Sequence, residues 1–115
     1  QMAGVEALTG PQAEPERMVA EFKKRREVIV SGLNNIEGIT CKNHHGAFYV
    51  FPNVKSFGME SKKLADIVLQ RAGVAVLSGT AFGEYGEGYL RLSFANSVEN
   101  IQKAISRISD LARTL

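Results

Sequence analysis

Apolar residues recur at helical spacing in some parts of this chain and alternate strictly with polar residues in others. Between residues 14 and 38 the spacing predicts the longest helix, with Glu14-Pro15 at its entry because proline is tolerated in the first helical turn. Its apolar stripe consists of Met18, Val19, Phe22, Ile29, Val30, Leu33 and Ile36. We expect this stripe to pack on a sheet.

Two further helices follow the same logic. Ser61 is predicted to cap a helix that buries Leu64 and Val68 and ends at Gly73 in a left-handed conformation. Ser97 is predicted to cap the last helix, whose stripe is Ile101, Ala104, Ile105, Ile108, Leu111, Ala112 and Leu115. Residues 1–10 are typical of a helix that stops at a glycine, so we expect residues 1–14 to be the end of a preceding helix and a linker.

Four short segments between these helices favour strands: 39–42, 46–51, 74–77 and 88–95. Strands and helices in this order predict an α+β fold, a two-layer sandwich in which a small sheet of about three to four strands is covered by helices. At 115 residues and 44% hydrophobic content, the chain is long enough for one modest core.

The last of these strands carries the most informative residue, Arg91. Strict alternation directs Leu90, Leu92 and Phe94 to one face and Tyr89, Arg91 and Ser93 to the other. A permanently charged guanidinium held on a rigid strand requires an anion and is suited to binding a carboxylate. The simpler alternative is a structural ion pair with Glu84 or Glu87, which lie close by along the chain.

Three sequence segments together resemble one enzyme family. They are Gly-Ala-Phe-Tyr-Val-Phe-Pro at 46–52, Ala-Gly-Val-Ala-Val-Leu-Ser-Gly-Thr-Ala-Phe-Gly at 72–83 and Gly-Tyr-Leu-Arg-Leu-Ser-Phe-Ala at 88–95. In this order they resemble the C-terminal small domain of fold-type I aminotransferases, class I/II, and most densely the aspartate aminotransferase branch. Residues 15–115 would form that domain.

The resemblance implies an amino group transferred from an amino acid to a 2-oxo acid, with Arg91 binding the substrate α-carboxylate. Gly46 and Phe48 would border the substrate pocket, and no catalytic residue is expected in this chain. The family's cofactor, pyridoxal 5'-phosphate, is held by a lysine and by phosphate-binding residues of a large domain that precedes this segment. We therefore expect no cofactor in the isolated chain, no activity from it alone, and a homodimer in the full-length form.

Two positions depart from the family pattern. His44 stands where a proline often precedes the strand glycine, and Ser78 stands where a proline is usual. Neither change removes a charged ligand group, so both bear on loop rigidity and substrate preference.

The remaining features argue for a solvated surface and against several kinds of site. A net charge of +2 and a basic run at 23–26 that fans around a helix give little support for a nucleic-acid partner. His44 and His45 lack a third ligand at suitable spacing for zinc, and the glycines at 83, 86 and 88 match no phosphate-binding loop, which favours a flexible hairpin connection. The single cysteine, Cys41, favours a reducing compartment, so we expect a cytoplasmic protein. No segment approaches the length of apolar residues needed to span a bilayer, so we expect no membrane partner.

Three other functions stay open on sequence grounds. A freestanding α+β regulatory module that binds an amino acid would also need an arginine on a sheet, and another pyridoxal-phosphate enzyme would keep the same carboxylate contact. An interaction domain is a third reading. The side-chain specificity of the substrate is expected to depend on residues outside this segment.

Overall fold

The computed structural model describes residues 1–115 and contains four α-helices and a sheet of three short strands. In chain order the elements are α1 (Met2–Thr9), α2 (Ala13–Asn34), β1 (Tyr49–Val50), α3 (Ser61–Ile67), β2 (Leu77–Ser78), β3 (Leu90–Ser93) and α4 (Val98–Ala112). A π-helical turn extends α3, and three 3₁₀ turns lie in the connections. The predicted α+β architecture is confirmed.

The sheet is antiparallel with the order β1-β3-β2, so β3 is its central strand. Tyr49 of β1 lies opposite Ser93, and Leu77 of β2 lies opposite Arg91. The segment at 39–42, predicted as a strand, contributes only an isolated bridge between Thr40 and Asn53. Arg91 is therefore flanked by a neighbouring strand on each side.

The helices cover one face of this sheet and leave the other without a helical layer. Leu90, Leu92 and Phe94 are buried, as the alternation predicted. They join a core made up of Ile29, Val30, Leu33, Ile36, Ile39, Cys41, Val50, Val54, Leu64, Ala65, Val68, Ile101, Ile108 and Leu111. Burial of this apolar surface fixes the orientation of β3, because a slip of one residue would expose all three of its core side chains.

Helix α2 differs from the prediction at both ends. It begins at Ala13, with Pro15 inside its first turn, where backbone N–H groups lack helical partners in any case. It ends at Asn34, so Ile36 is buried in the following turn and not on the helix. Met18 and Val19, predicted to pack on the sheet, are 57% and 53% exposed because no other part of the chain covers the first half of α2.

The predicted end of the second helix is confirmed, and its predicted start is wrong. Gly73 has a φ of +64° and closes the π-helical turn Val68–Ala72 in the left-handed region. Ser61 is fully buried and does not cap its own helix, since its hydroxyl is bonded elsewhere. For α4, by contrast, the Ser97 hydroxyl accepts a hydrogen bond from the Asn100 N–H, as predicted.

Candidate functional site

The face of β3 that the helices leave open carries Tyr89, Arg91 and Ser93. Arg91 is half-buried at the centre of the sheet, on the side opposite the core. Because the backbone of β3 is paired on both sides, the root of the arginine side chain has little freedom to move. The structure therefore places a fixed cation on an open face, as the sequence predicted.

Two aromatic rings hold the Arg91 guanidinium. Its carbon atom Cζ lies 4.2 Å from the centroid of the Tyr49 ring on β1 and 3.8 Å from the centroid of the Phe82 ring. Phe82 ends the 3₁₀ turn Gly79–Phe82 that follows β2. A guanidinium close to aromatic rings is stabilised by cation–π attraction and by stacking, which leaves its N–H groups to bind a partner at its edge.

No carboxylate pairs with Arg91. The ion pairs in the structure join Arg17 to Glu14, Arg25 to Glu21 and Arg113 to Asp110, each between residues three or four positions apart in sequence. Glu84 is exposed and accepts no hydrogen bond through its side chain, and Glu87 is bonded to other groups. The alternative of a structural ion pair with Glu84 or Glu87 is thus wrong, and the charge of Arg91 has no counter-ion within the chain.

Phe48 and Gly46 lie just before β1, and the centroid of the Phe48 ring lies 6.1 Å from that of the Phe22 ring on α2. The Phe48 ring is 42% exposed, and its centroid lies 4.5 Å from that of Tyr49, which connects it to Arg91. Gly46 is exposed, and a methyl group placed there would meet no atom within 4 Å. Ala47, between them, has a φ of +58° and is the one non-glycine residue in the left-handed region, a strained conformation typical of binding sites.

Sequence reasoning did not bring Tyr49, Phe51 or Phe82 into the surroundings of Arg91, although it named Phe48 and Tyr89. Phe51 stacks on Tyr89 with ring centroids 5.5 Å apart and meets the edge of Phe82 at 6.4 Å. The register that brings Tyr49 beside Arg91 depends on strand pairing across 42 residues of sequence.

A second polar cluster lies where the chain enters β3. The fully buried Ser61 hydroxyl accepts hydrogen bonds from the N–H groups of Gly88 and Tyr89, at 2.7 and 3.1 Å. Oxygen Oε1 of Glu87 accepts from the Ser61 N–H at 2.8 Å and from the Ser61 hydroxyl at 3.2 Å. These hydrogen bonds, the one from the Ser61 N–H above all, lower the pKa of Glu87 and keep it ionised.

The connection between β2 and β3 is ordered by close backbone packing. A methyl group on Gly86 would overlap the carbonyl of Gly79, and one on Gly79 would overlap the carbonyl of Gly86. The Gly79 N–H donates to the Tyr89 carbonyl at 2.8 Å. The segment connects two antiparallel strands as predicted, but Gly79 and Gly86 serve contact between backbones and not flexibility, because the absence of side chains lets the two 3₁₀ turns touch.

Other candidate residues do not form a site. Burial raises the pKa of the Cys41 thiol, which disfavours the nucleophilic thiolate. His44 lies against Phe94 and its carbonyl accepts from Arg26 at 2.8 Å. No group of three or more His, Cys, Asp or Glu side chains is arranged to hold a metal ion. None of the helices has both the length and the apolar character that crossing a membrane requires.

Comparison with known proteins points to one family. The model of the family described as Aminotransferase class I and II matches residues 1–108. An aspartate aminotransferase of Pyrococcus horikoshii is 46% identical over 110 residues, which cover 94% of this chain and 28% of that protein. The chain thus spans little more than a quarter of the length of this curated relative.

Solved structures agree with the sequence matches. An alanine aminotransferase from Pyrococcus furiosus superposes with a TM-score of 0.93 at 33% identity, over 98% of this chain and 29% of the other. An aromatic aminotransferase from Pyrococcus horikoshii gives a TM-score of 0.89 at 35% identity, over 95% of this chain and 30% of the other. These proteins are named for different amino acids, whereas the fold of the matched part is shared.

Proposed function

The chain belongs to the class I and II aminotransferase family, and we propose from this premise that it is the C-terminal small domain of an enzyme that transfers an amino group from an amino acid to a 2-oxo acid. In that enzyme Arg91 binds the α-carboxylate of the substrate. The observation that carries this proposal is a half-buried guanidinium on an open sheet face with no acidic partner in the chain.

The surroundings of Arg91 suit a carboxylate. The ring centroids of Tyr49 and Phe82 lie 4.2 and 3.8 Å from the guanidinium carbon of Arg91, so a ligand has access through the edge of the guanidinium. Two N–H groups in the plane of that edge match the two oxygens of a carboxylate, and such paired, charged hydrogen bonds are strong and directional. The rings also exclude water from the guanidinium, which strengthens its attraction to an anion.

Binding at this place serves orientation. An amino acid held by its carboxylate at a fixed point has its Cα–H and amino group directed the same way in every turnover, whatever its side chain. Holding reacting groups in a productive geometry lowers the activation barrier of the reaction. A misplacement of about 1 Å can cancel much of that gain. The strand pairing of β3 on both sides provides the rigidity that this task requires.

The cofactor implied by the family, pyridoxal 5'-phosphate, supplies the electron sink when it is bound. The residues present here do not make a site for it, since every lysine side chain of the chain is exposed on the surface. We therefore propose that the large domain, outside this chain, holds the cofactor. Transfer of the amino group requires both parts.

Gly46 and Phe48 are proposed to line the substrate pocket. The space around Gly46 and the exposed ring of Phe48 next to Tyr49 support this assignment. A homodimer and a cytoplasmic location complete the proposal. They are supported, respectively, by family membership and by a lone cysteine that has no disulfide partner.

The test compares an amino acid with the corresponding amine that lacks the carboxylate, in the full-length enzyme that contains this chain. We define the carboxylate preference as kcat/KM for the amino acid divided by kcat/KM for the amine. Arg91→Ala should lower this ratio by about tenfold or more, since a hydrogen bond to a charged group contributes about 1.5–3 kcal/mol.

Arg107→Ala is the matched control, because Arg107 is an exposed arginine on α4 without an ion-pair partner. It should leave the ratio unchanged. An unchanged ratio in Arg91→Ala would refute the assignment of Arg91. Product analysis with the wild-type enzyme separates amino-group transfer from elimination or decarboxylation.

A further inference from the structure

The polar cluster at the entry to β3 consists of one buried hydroxyl and one carboxylate that together bind the backbone of two consecutive residues. The Gly88 N–H donates to the Ser61 hydroxyl at 2.7 Å and to Glu87 Oε1 at 3.2 Å, and the Tyr89 N–H donates to the same hydroxyl at 3.1 Å. Glu87 in turn accepts from the backbone and side chain of Ser61. We refer to Ser61 and Glu87 as the β3 clamp.

The Gly88 N–H depends on the clamp for its hydrogen bonds, whereas the Tyr89 N–H also donates to the Gly86 carbonyl at 3.1 Å. Gly88 precedes β3 and has a φ of +81°, in the left-handed region that glycine adopts readily. Its N–H is bonded only to the two clamp side chains, and Ser61 has no exposed surface at all. A buried backbone N–H left without a partner is costly, and loss of the Ser61 hydroxyl or of the Glu87 carboxylate would remove one of the two acceptors that hold this N–H in place.

The clamped residues lead directly to the proposed substrate-binding group. Tyr89 is two residues before Arg91 on a strand that rises about 3.3 Å per residue, so the hydrogen bonds at Tyr89 help to set the position at which β3 holds Arg91. The Tyr89 carbonyl also accepts the N–H of Gly79, the first residue of the turn that ends in Phe82. The Tyr89 backbone thus connects the clamp both to the strand that carries Arg91 and to the turn that carries Phe82.

We propose that Ser61 and Glu87 are positioning residues that set where Arg91 presents its guanidinium to the substrate carboxylate. This inference rests on the proposed function of Arg91. The clamp touches no substrate itself and acts through the backbone of Gly88 and Tyr89. Because Glu87 comes from the entry of β3 and Ser61 from the start of α3, the clamp joins the central strand to the helical layer behind it.

The experiment measures the carboxylate preference, as defined above, in the full-length enzyme carrying Glu87→Ala, Glu87→Gln or Ser61→Ala. Glu87→Ala removes every acceptor of the carboxylate and should lower the preference by about tenfold, within the range that small misplacements of a binding group produce. Glu87→Gln retains an acceptor oxygen and should give a smaller decrease. If Ser61→Ala does not fold, the carboxylate preference can still be measured in Glu87→Gln, which is the milder change.

Glu84→Ala is the matched control, because Glu84 lies in the same connection, is exposed, and has no hydrogen-bonded side chain. It should leave the preference unchanged. In a double variant with Arg91→Ala, the Glu87→Ala substitution should have no further effect on the preference, since two residues that act through one another are not additive.

The outcomes separate this inference from the proposed function. If Arg91→Ala lowers the preference and Glu87→Ala does not, the clamp is structural only and the inference fails while the function of Arg91 stands. Equal losses for amino acid and amine in Glu87→Ala, or a further loss of preference in the double variant, likewise overturn it. If Arg91→Ala itself leaves the preference unchanged, the proposed function has failed first.

Discussion

The guanidinium carbon of Arg91 lies 3.8 Å from the centroid of the Phe82 ring, closer than to any other aromatic ring in the protein. Phe82 comes from the connection after β2 and is 49% exposed, so the contact joins a rigid strand to a surface turn. The charge of Arg91 is therefore held by π-electron density and not by an acid. Such a cation keeps its full capacity to bind an external anion.

Arg91→Lys tests whether the shape of the cation matters as well as its charge. Lysine keeps the charge but lacks the planar fork, so it binds a carboxylate as a point charge and stacks less well on Tyr49 and Phe82. We expect kcat/KM for amino acids in the full-length enzyme to fall by about tenfold or more, with a smaller loss than in Arg91→Ala. Steady-state kinetics check this, and wild-type values for Arg91→Lys would contradict bidentate binding.

Phe82→Ala tests the contribution of the stacked ring. Cation–π contacts are worth about 0.5–2 kcal/mol, which corresponds to a decrease of about 2- to 30-fold in kcat/KM for amino acids. The unfolding free energy should change by less than about 1 kcal/mol, because half of the ring is already exposed. Phe82→Tyr should restore activity, whereas Tyr85→Ala, which removes a 90% exposed ring from the same connection, should have no effect. Equal losses in Phe82→Ala and Tyr85→Ala would contradict a specific role for the stack.

Local pattern was sufficient to predict much of this fold. Alternation along β3 assigned Leu90, Leu92 and Phe94 to the core and Arg91 to the open face, because side chains on a strand follow a period of two whatever the neighbours are. Gly73 and Ser97 were recognised because their capping roles depend on two or three residues in sequence.

What the pattern could not predict depends on contacts between distant segments. Ser61 has the sequence of a helix cap, yet its hydroxyl bonds to Gly88 and Tyr89, 27 and 28 residues later. Glu87 was considered as a partner for Arg91 and instead binds Ser61. Met18 and Val19 follow the helical period and are still exposed, since periodicity shows which face is apolar and not what covers it.

Substituting two glycines by alanine should separate a structural position from a binding position. Gly86→Ala would bring a methyl group into the carbonyl of Gly79, and because both groups are backbone, we expect a loss of about 1–3 kcal/mol or more of unfolding free energy. Gly46→Ala meets no atom within 4 Å and should leave the stability unchanged.

If Gly46 lines the substrate pocket, the same Gly46→Ala variant should raise KM for amino acids by a few fold, because the added methyl group would occupy space that the substrate uses. Urea denaturation and steady-state kinetics of both variants provide the measurements. A Gly46→Ala enzyme with unchanged KM would remove Gly46 from the pocket, and a stable Gly86→Ala protein would show that the two turns can separate without cost.

The β3 clamp should also give the protein a measurable pH dependence of stability. Hydrogen bonds from Ser61 and Gly88 lower the pKa of Glu87 from its ordinary value of 4.5 in the folded protein. A carboxyl whose pKa is lowered by folding adds stability that is fully present above its unfolded pKa and is lost as the pH falls through its folded pKa. The advantage of the wild type over Glu87→Gln in unfolding free energy should therefore be constant near pH 7 and shrink below about pH 5.

Urea denaturation at a series of pH values measures this difference directly. Glu99, whose pKa is lowered chiefly by a hydrogen bond from its own backbone N–H and next by the Ser97 side chain, is retained in both proteins, so both should still lose stability in acid. Glu84→Gln removes a carboxylate without hydrogen bonds, and its curve should run parallel to that of the wild type. A difference between wild type and Glu87→Gln that stays constant down to about pH 3 would mean that the Glu87 carboxylate is not held by Ser61 in solution.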